Sequence, residues 1–226
     1  MKNWFAAAAF SAAMVLGSSA FAIPQNYSFQ GTFAQDDAVQ LFTFSVGGTS
    51  DVVLRTWSYA GGVNAAGDTI ARGGFDPILA LFNAATGQLV DQNDDGNCAQ
   101  VATDSVTGVC YDTYLSAPAL AAGDYIVAVT QYDNSALGAL SAGFLFQGQG
   151  NFTANPSFTV CADNQAAFND VSNGPGCGRT NAWAFDILGV DAAEVVTPGN
   201  DVPEPLTLAL MAGGLAGLGF SRRKRA

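Results

Sequence analysis

The densest run of oxygen-bearing side chains is Asp91-Gln92-Asn93-Asp94-Asp95-Gly96, and Asp76 precedes it by one strand-and-turn length. Calcium takes roughly 6–8 oxygens from carboxylates, amides and carbonyls, so these residue types suit it. Asp91, Asn93 and Asp95 alternate and Gly96 follows, which matches the start of an EF-hand loop. The twelfth position of that loop needs a bidentate Glu, and here it is Ala102. The full loop therefore fails, and the expectation is a looser Ca²⁺ site drawn from Asp76, Asp91, Asn93, Asp94 and Asp95. The competing reading is a solvated Asx-rich hairpin turn with no ion.

The surrounding composition narrows the chemistry. The chain has 226 residues, 19 acids, 8 bases, no histidine and a net charge of -11. Without histidine there is no Ser-His or Cys-His base and no histidine metal ligand. The bases sit mostly at the ends: Lys2 at the start, and Arg222, Arg223, Lys224 and Arg225 at the finish. Between residues 23 and 203 only Arg55, Arg72 and Arg179 face 18 acids, a net of -15. Such a body is repelled by nucleic acid and by anionic membrane, so no nucleic-acid partner is expected. Seventeen of the acids are Asp, a turn and cation-site residue more than a helix former. A glycosidase or lyase needs two carboxylates at a set spacing. No motif singles out such a pair, and a non-catalytic protein is expected.

The elements that would hold the acidic run read as strands. Gln40 to Val46 alternates, Val52 to Leu54 continues toward Tyr59, and Pro77 to Asn83 is a short apolar run. Tyr125 to Thr130, Gly143 to Gln147, Ser157 to Cys161 and Ala182 to Val190 add further β-rich segments. Gly, Asn and Asp clusters separate them, and no window keeps a helical period with caps. The expected fold is all-β: an antiparallel sandwich or jelly roll over residues 23–190. Residues 191–201, with few large apolar groups, read as a linker.

The two ends read as addresses. Residues 1–22 have a basic start, a short apolar stretch and small residues before Ala22, which is a signal-peptide helix cut between Ala22 and Ile23. Residues 202–226 contain Pro203-Glu204-Pro205, an apolar stretch from Leu206 to Phe220, and the basic tail. The stretch is shorter than the roughly 20 residues that span a bilayer comfortably, yet local thinning allows a hydrophobic helix to insert. This end resembles the PEP-CTERM sorting signal. The resemblance implies processing by an exosortase of a Gram-negative bacterium and a cell-surface or matrix destination. It also implies association with exopolysaccharide and biofilm.

Asp36-Asp37, Asp76, Asn93-Asp94-Asp95 and Leu120 to Tyr125 occur in the order found in the bacterial pre-peptidase C-terminal domain. Residues 30–133 are similar to it, which implies a β-sandwich accessory module able to bind Ca²⁺. Trp57 to Gly74 and Asn97 to Asp112 stand out as insertions.

Export implies an oxidising compartment, and Cys98, Cys110, Cys161 and Cys177 make an even set. Three pairings are possible, and Cys98–Cys110 with Cys161–Cys177 is favoured because each closes a short polar loop. A four-thiolate zinc site is the rival. Three functions follow: a surface protein binding polysaccharide or a surface-protein partner, a calcium-stabilised assembly protein, and a carboxylate-dependent polysaccharide-acting enzyme. For the first, Trp57, Tyr59, Tyr111, Tyr114 and Tyr132 offer ring faces to sugars.

Overall fold

A computed structural model describes residues 23–158, 161, 165–171 and 176–197. The expected signal helix and cleavage residue Ala22 lie outside the described residues. So do the C-terminal helix and the sorting residues Pro203, Glu204, Pro205, Arg222, Arg223, Lys224 and Arg225. Ile23 begins the described chain and is exposed.

The body is an antiparallel β-sandwich. One sheet orders β1 (Gln25–Thr32), β10 (Ala182–Val190), β3 (Ser50–Thr56) and β8 (Tyr114–Leu120). The other orders β11 (Ala192–Val195), β2 (Val39–Val46), β9 (Gly123–Gln131), β6 (Pro77–Asn83) and β7 (Leu89–Asn93). A small hairpin, β4 (Gly62–Val63) with β5 (Thr69–Ile70), lies outside both. Apart from the β6–β7 hairpin, every connection between main strands crosses from one sheet to the other. Among the described residues no helix is long and apolar enough to cross a membrane.

Alternation along the strands builds the core. Phe42, Phe44 and Val46 of β2 face Val52 and Leu54 of β3 and Phe185 and Ile187 of β10 across the sandwich. Burying each such side chain contributes roughly 1.5–3 kcal/mol. β6 and β9 do not alternate because both of their faces are covered. Leu79, Leu81, Val127 and Val129 join the main core, while Ala80, Phe82, Ile126 and Ala128 pack under Phe144 on the far side. A strand buried on both faces reads as a continuous apolar run.

Three sequence expectations change. Gly143–Gln147 is not a strand, because β6 and β9 already have neighbours on both edges. Its Phe144 instead folds over the outer face of their sheet. Ser157 and Phe158 lie in a turn, and Ser157–Cys161 forms no strand among its described residues. The linker over 191–201 is shorter than expected. Asp191 turns the chain between sheets, β11 then pairs with β2 from Ala192↔Ser45 to Val195↔Phe42, and the Val196 amide donates to the Leu41 carbonyl at 2.9 Å. Small residues and one Glu suit this edge strand, so its sequence lacks the apolar signature of a core strand.

Both favoured disulfides are present, Cys98–Cys110 and Cys161–Cys177, with Cα–Cα distances of 5.4 and 5.6 Å. No cysteine is free. A bridge closing so short a loop contributes roughly 3 kcal/mol in the chain-entropy model. Replacing Cys98 and Cys110 together by Ser is therefore expected to lower Tm by about 6–12 °C. A fall below about 2 °C in thermal unfolding would show that other contacts hold the loop.

The two ends of the sandwich differ. One end has tight turns: 47–49 between β2 and β3, 84–88 between β6 and β7, and 121–122 between β8 and β9. The other end sends out every long connection: 57–76, 94–113 and 132–181. Both disulfides lie in these loops.

Candidate metal centre

β2 and β6 begin at the loop end, and β7 and β9 finish there. That antiparallel arrangement gathers acids that are far apart in sequence. Asp36 and Asp37 precede β2, Asp76 precedes β6, Asp94 and Asp95 follow β7, and Asp133 follows β9.

Asp76, Asp94 and Asp95 converge so that one carboxylate oxygen from each lies within 4.8 Å of the others. Asp76 is buried, Asp94 half-buried and Asp95 exposed, so the cluster opens from the interior to solvent. Oδ1 of Asp76 and Oδ1 of Asp94 are both buried without a hydrogen-bond partner. Leaving a buried acceptor unmatched costs on the order of 1–3 kcal/mol, more for a charge. The Oε1 of fully buried Gln131 is likewise unmatched, and the β6–β9 register puts Gln131 opposite Pro77, the residue after Asp76.

The electrostatics follow from this geometry. Burial, then the charges of Asp94 and Asp95, push the Asp76 carboxyl well above its ordinary pKa. Burial and Asp95 raise Asp94 to about 7, and burial with Asp170 and Asp112 raises Asp95 to about 6. Burial also raises Tyr111 and Tyr132, and the same carboxylates add to it from either side. Among the described residues no arginine hydrogen-bonds to the three acids. Asp76, Asp94 and Asp95 could hold a divalent cation, which would supply the missing positive charge and ligate the unmatched oxygens.

The other predicted ligands stand apart. Asp91 lies exposed on β7, and its carboxylate accepts the Gln92 amide at 2.8 Å. Asn93 turns its amide nitrogen to the Asp95 carbonyl at 2.6 Å and the Tyr114 carbonyl at 2.8 Å. It braces the loop. The alternation reads differently here because β7 pairing runs through Asn93. An extended strand separates Asp91 and Asn93 by about 6.6 Å instead of wrapping them around one ion. Gly96 serves space: a Cβ there would lie 2.6 Å from Val101 Cγ1.

Neighbouring acids are occupied elsewhere. Buried Asp112 accepts Thr56 Oγ1 at 2.9 Å and the amides of Tyr59 and Ala60 at 3.0 and 2.8 Å. Asp170 accepts the Tyr59 hydroxyl. The Thr113 hydroxyl sits against the carbonyls of Pro77 and Asp94, joining the start of β6 to the end of β7.

The proposed sugar platforms fare unevenly. Tyr59 is fully buried, with the Arg179 guanidinium 3.6 Å from its ring centre and Tyr111 edge-on. Arg55 lies 3.7 Å from the Trp57 ring centre, and a Cβ on Gly62 would come within 2.8 Å of the same ring. Tyr59 therefore presents no free face, whereas Trp57 is half-exposed. Tyr111, Tyr114 and Tyr132 remain half-exposed.

Beyond the sandwich, residues 201–224 match the family model of the PEP-CTERM protein-sorting motif. The chain carries a PEP-CTERM sorting signal. That signal indicates an exported, membrane-anchored precursor processed by an exosortase. Its Pro-Glu-Pro box, apolar stretch and basic residues fall in the order read from the sequence. No curated protein matches the chain.

Proposed function

We propose that this is a non-catalytic protein of the Gram-negative cell surface or extracellular matrix whose sandwich takes up Ca²⁺ after export. In this reading an accessory module of the pre-peptidase C-terminal type is delivered by its PEP-CTERM tail to an exopolysaccharide or biofilm matrix. The observation that carries it is the trio of Asp76, Asp94 and Asp95, with two buried carboxylate oxygens that no protein donor satisfies. One carboxylate oxygen from each of the three lies within 4.8 Å of the others, a spacing that one cation can bridge.

Isothermal titration of Ca²⁺ into chelator-treated protein is expected to give saturable heat with one site. At a hundredfold excess over Kd, binding adds about 2.7 kcal/mol, a Tm rise of roughly 5–11 °C. No heat and an unchanged Tm at millimolar Ca²⁺ would reject the metal. Retention of the mature protein on the producer's own exopolysaccharide, measured by co-sedimentation, tests the matrix role. Equal sedimentation without polymer would reject it.

A further inference from the structure

The trio of Asp76, Asp94 and Asp95 fills only part of a calcium ion's coordination sphere. Each residue offers one carboxylate oxygen to a common point. Calcium takes roughly 6–8 oxygens, so roughly 3–5 positions are left over. The backbone does not supply them readily, because the carbonyls of all three residues already accept hydrogen bonds. The Asp76 carbonyl takes the Tyr132 amide at 2.8 Å, the Asp94 carbonyl takes the Thr113 hydroxyl, and the Asp95 carbonyl takes the Asn93 amide nitrogen at 2.6 Å. Asp76 is buried with its Oδ1 unmatched, and Asp95 is exposed. The positions left over therefore lie on the Asp95 side, toward solvent.

Two half-exposed rings adjoin that opening. Tyr132 is held there by its amide bond to Asp76. Tyr111 precedes Asp112, whose carbonyl accepts the Gly96 amide at 2.8 Å, directly after Asp95. Apolar ring surface beside a few fixed polar groups is the usual make-up of a small-ligand site.

We propose that the solvent-facing positions of this cation are a sugar-binding site, in which two adjacent hydroxyls of a neutral polysaccharide ligate the metal directly and the rings of Tyr111 and Tyr132 pack beside the sugar. This rests on the reading of the trio as a Ca²⁺ site. Ligation is an exchange: two metal-bound waters leave and two hydroxyl oxygens take their places, so no covalent bond changes. Charge selects the sugar class. Three carboxylates and one divalent cation leave the loaded centre at -1, within a body whose net charge is -15. A uronate brings a like charge into that field, whereas a neutral diol does not.

The test loads the chelator-treated exported protein with Tb³⁺ in place of Ca²⁺. Luminescence lifetimes in H₂O and D₂O, with the ion excited directly, count the waters on it. At least about two waters are expected, given the positions left over. Methyl α-mannopyranoside and methyl β-galactopyranoside, which between them carry trans and cis vicinal diols, are then added at about 0.1 M, well above a millimolar Kd. One of them is expected to remove about two waters, as two hydroxyls replace them. Tyr111→Ala combined with Tyr132→Ala is expected to weaken sugar binding by about tenfold while leaving Tb³⁺ affinity and the water count as they were. Bound Tb³⁺ with no inner-sphere water, or with waters that neither sugar displaces, overturns the sugar site and leaves the metal reading intact. Stronger displacement by methyl galacturonide overturns the assignment to neutral sugars. Unchanged sugar affinity in the double variant overturns the role of the rings. A protein that binds neither Tb³⁺ nor Ca²⁺ overturns both readings.

Discussion

Stripped of divalent cations, the protein is expected to lose stability as pH rises from about 4 to about 7, and saturating Ca²⁺ is expected to abolish that loss. Unfolded Asp titrates near 3.9. In the folded chain Asp95 titrates at about 6, Asp94 at about 7, and Asp76 is raised well above its ordinary range. Burial raises Asp112 and Asp133 in the same sense. A carboxyl whose pKa is raised on folding holds its proton more tightly folded than unfolded. Its stabilising contribution is complete below about pH 4 and is lost as pH climbs through the folded value. Solvent screening at exposed Asp95 tempers the effect, leaving on the order of 2 kcal/mol, a Tm fall of about 4–8 °C.

A bound cation replaces the protons and neutralises the same oxygens, so its benefit grows as protons leave. The Ca²⁺-dependent Tm rise is thus larger at pH 8 than at pH 5. Asp76→Asn removes the buried charge and one ligand together. That variant is expected to show a flatter pH profile in chelator and no Ca²⁺ response. Thermal unfolding of both proteins from pH 4.5 to pH 8, with and without Ca²⁺, measures all of this. A Tm that stays level across that range in chelator would show that the three acids do not interact as described.

Much of the sandwich was legible because its strands announce themselves. β6 and β10 appear with the bounds read from their apolar runs, and β2 is one residue longer at its start. β1 and β11 were not, since edge strands carry polar and small residues and take their register from β10 and β2. The acidic run was legible as a candidate, but its partner set was not. Spacing within one segment suggested Asp91 and Asn93, whereas tertiary pairing of β6 with β7 delivered Asp76 and Asp94 to Asp95. The charged residues that matter most at the loop end were hidden for another reason. Arg72, Asp104 and Arg179 come from three separate insertions, and no local pattern links them. One signal was available. In a body with only three bases, each arginine is conspicuous, and all three prove to be packed against a ring or a carboxylate.

Asp104→Ala is expected to cost about 3–5 kcal/mol, because it strands a buried guanidinium. Asp104 is fully buried. Its carboxylate accepts Arg72 Nε at 2.8 Å and Arg72 Nη2 at 3.0 Å, together with the amides of Val106 and Thr107. Burial alone would raise its pKa, but these donors outweigh burial and hold it well below the usual range. That contribution is lost only in acid, below about pH 4, so it does not mask the Asp76 profile at neutral pH. Arg179 is 4% exposed and lies 3.8 Å from the same carboxylate. It also donates to the carbonyls of Gly74 at 2.9 Å, Gly176 at 3.4 Å and Tyr59. Tyr59 and Gly74 belong to the 57–76 insertion, Asp104 to 94–113, and Arg179 to 132–181. One buried cation therefore ties all three long loops together over the sandwich end. Without Asp104 it keeps its carbonyls, its ring and the charge of Asp170, but loses its ion-pair partner. The expected Tm fall is about 10 °C or more. Adding Arg179→Met to Asp104→Ala is expected to recover part of it, since a packed apolar side chain replaces an unpaired charge. A single variant within about 2 °C of the parent, or a double variant whose loss equals the two single losses added, would show that the ion pair does not hold the loops.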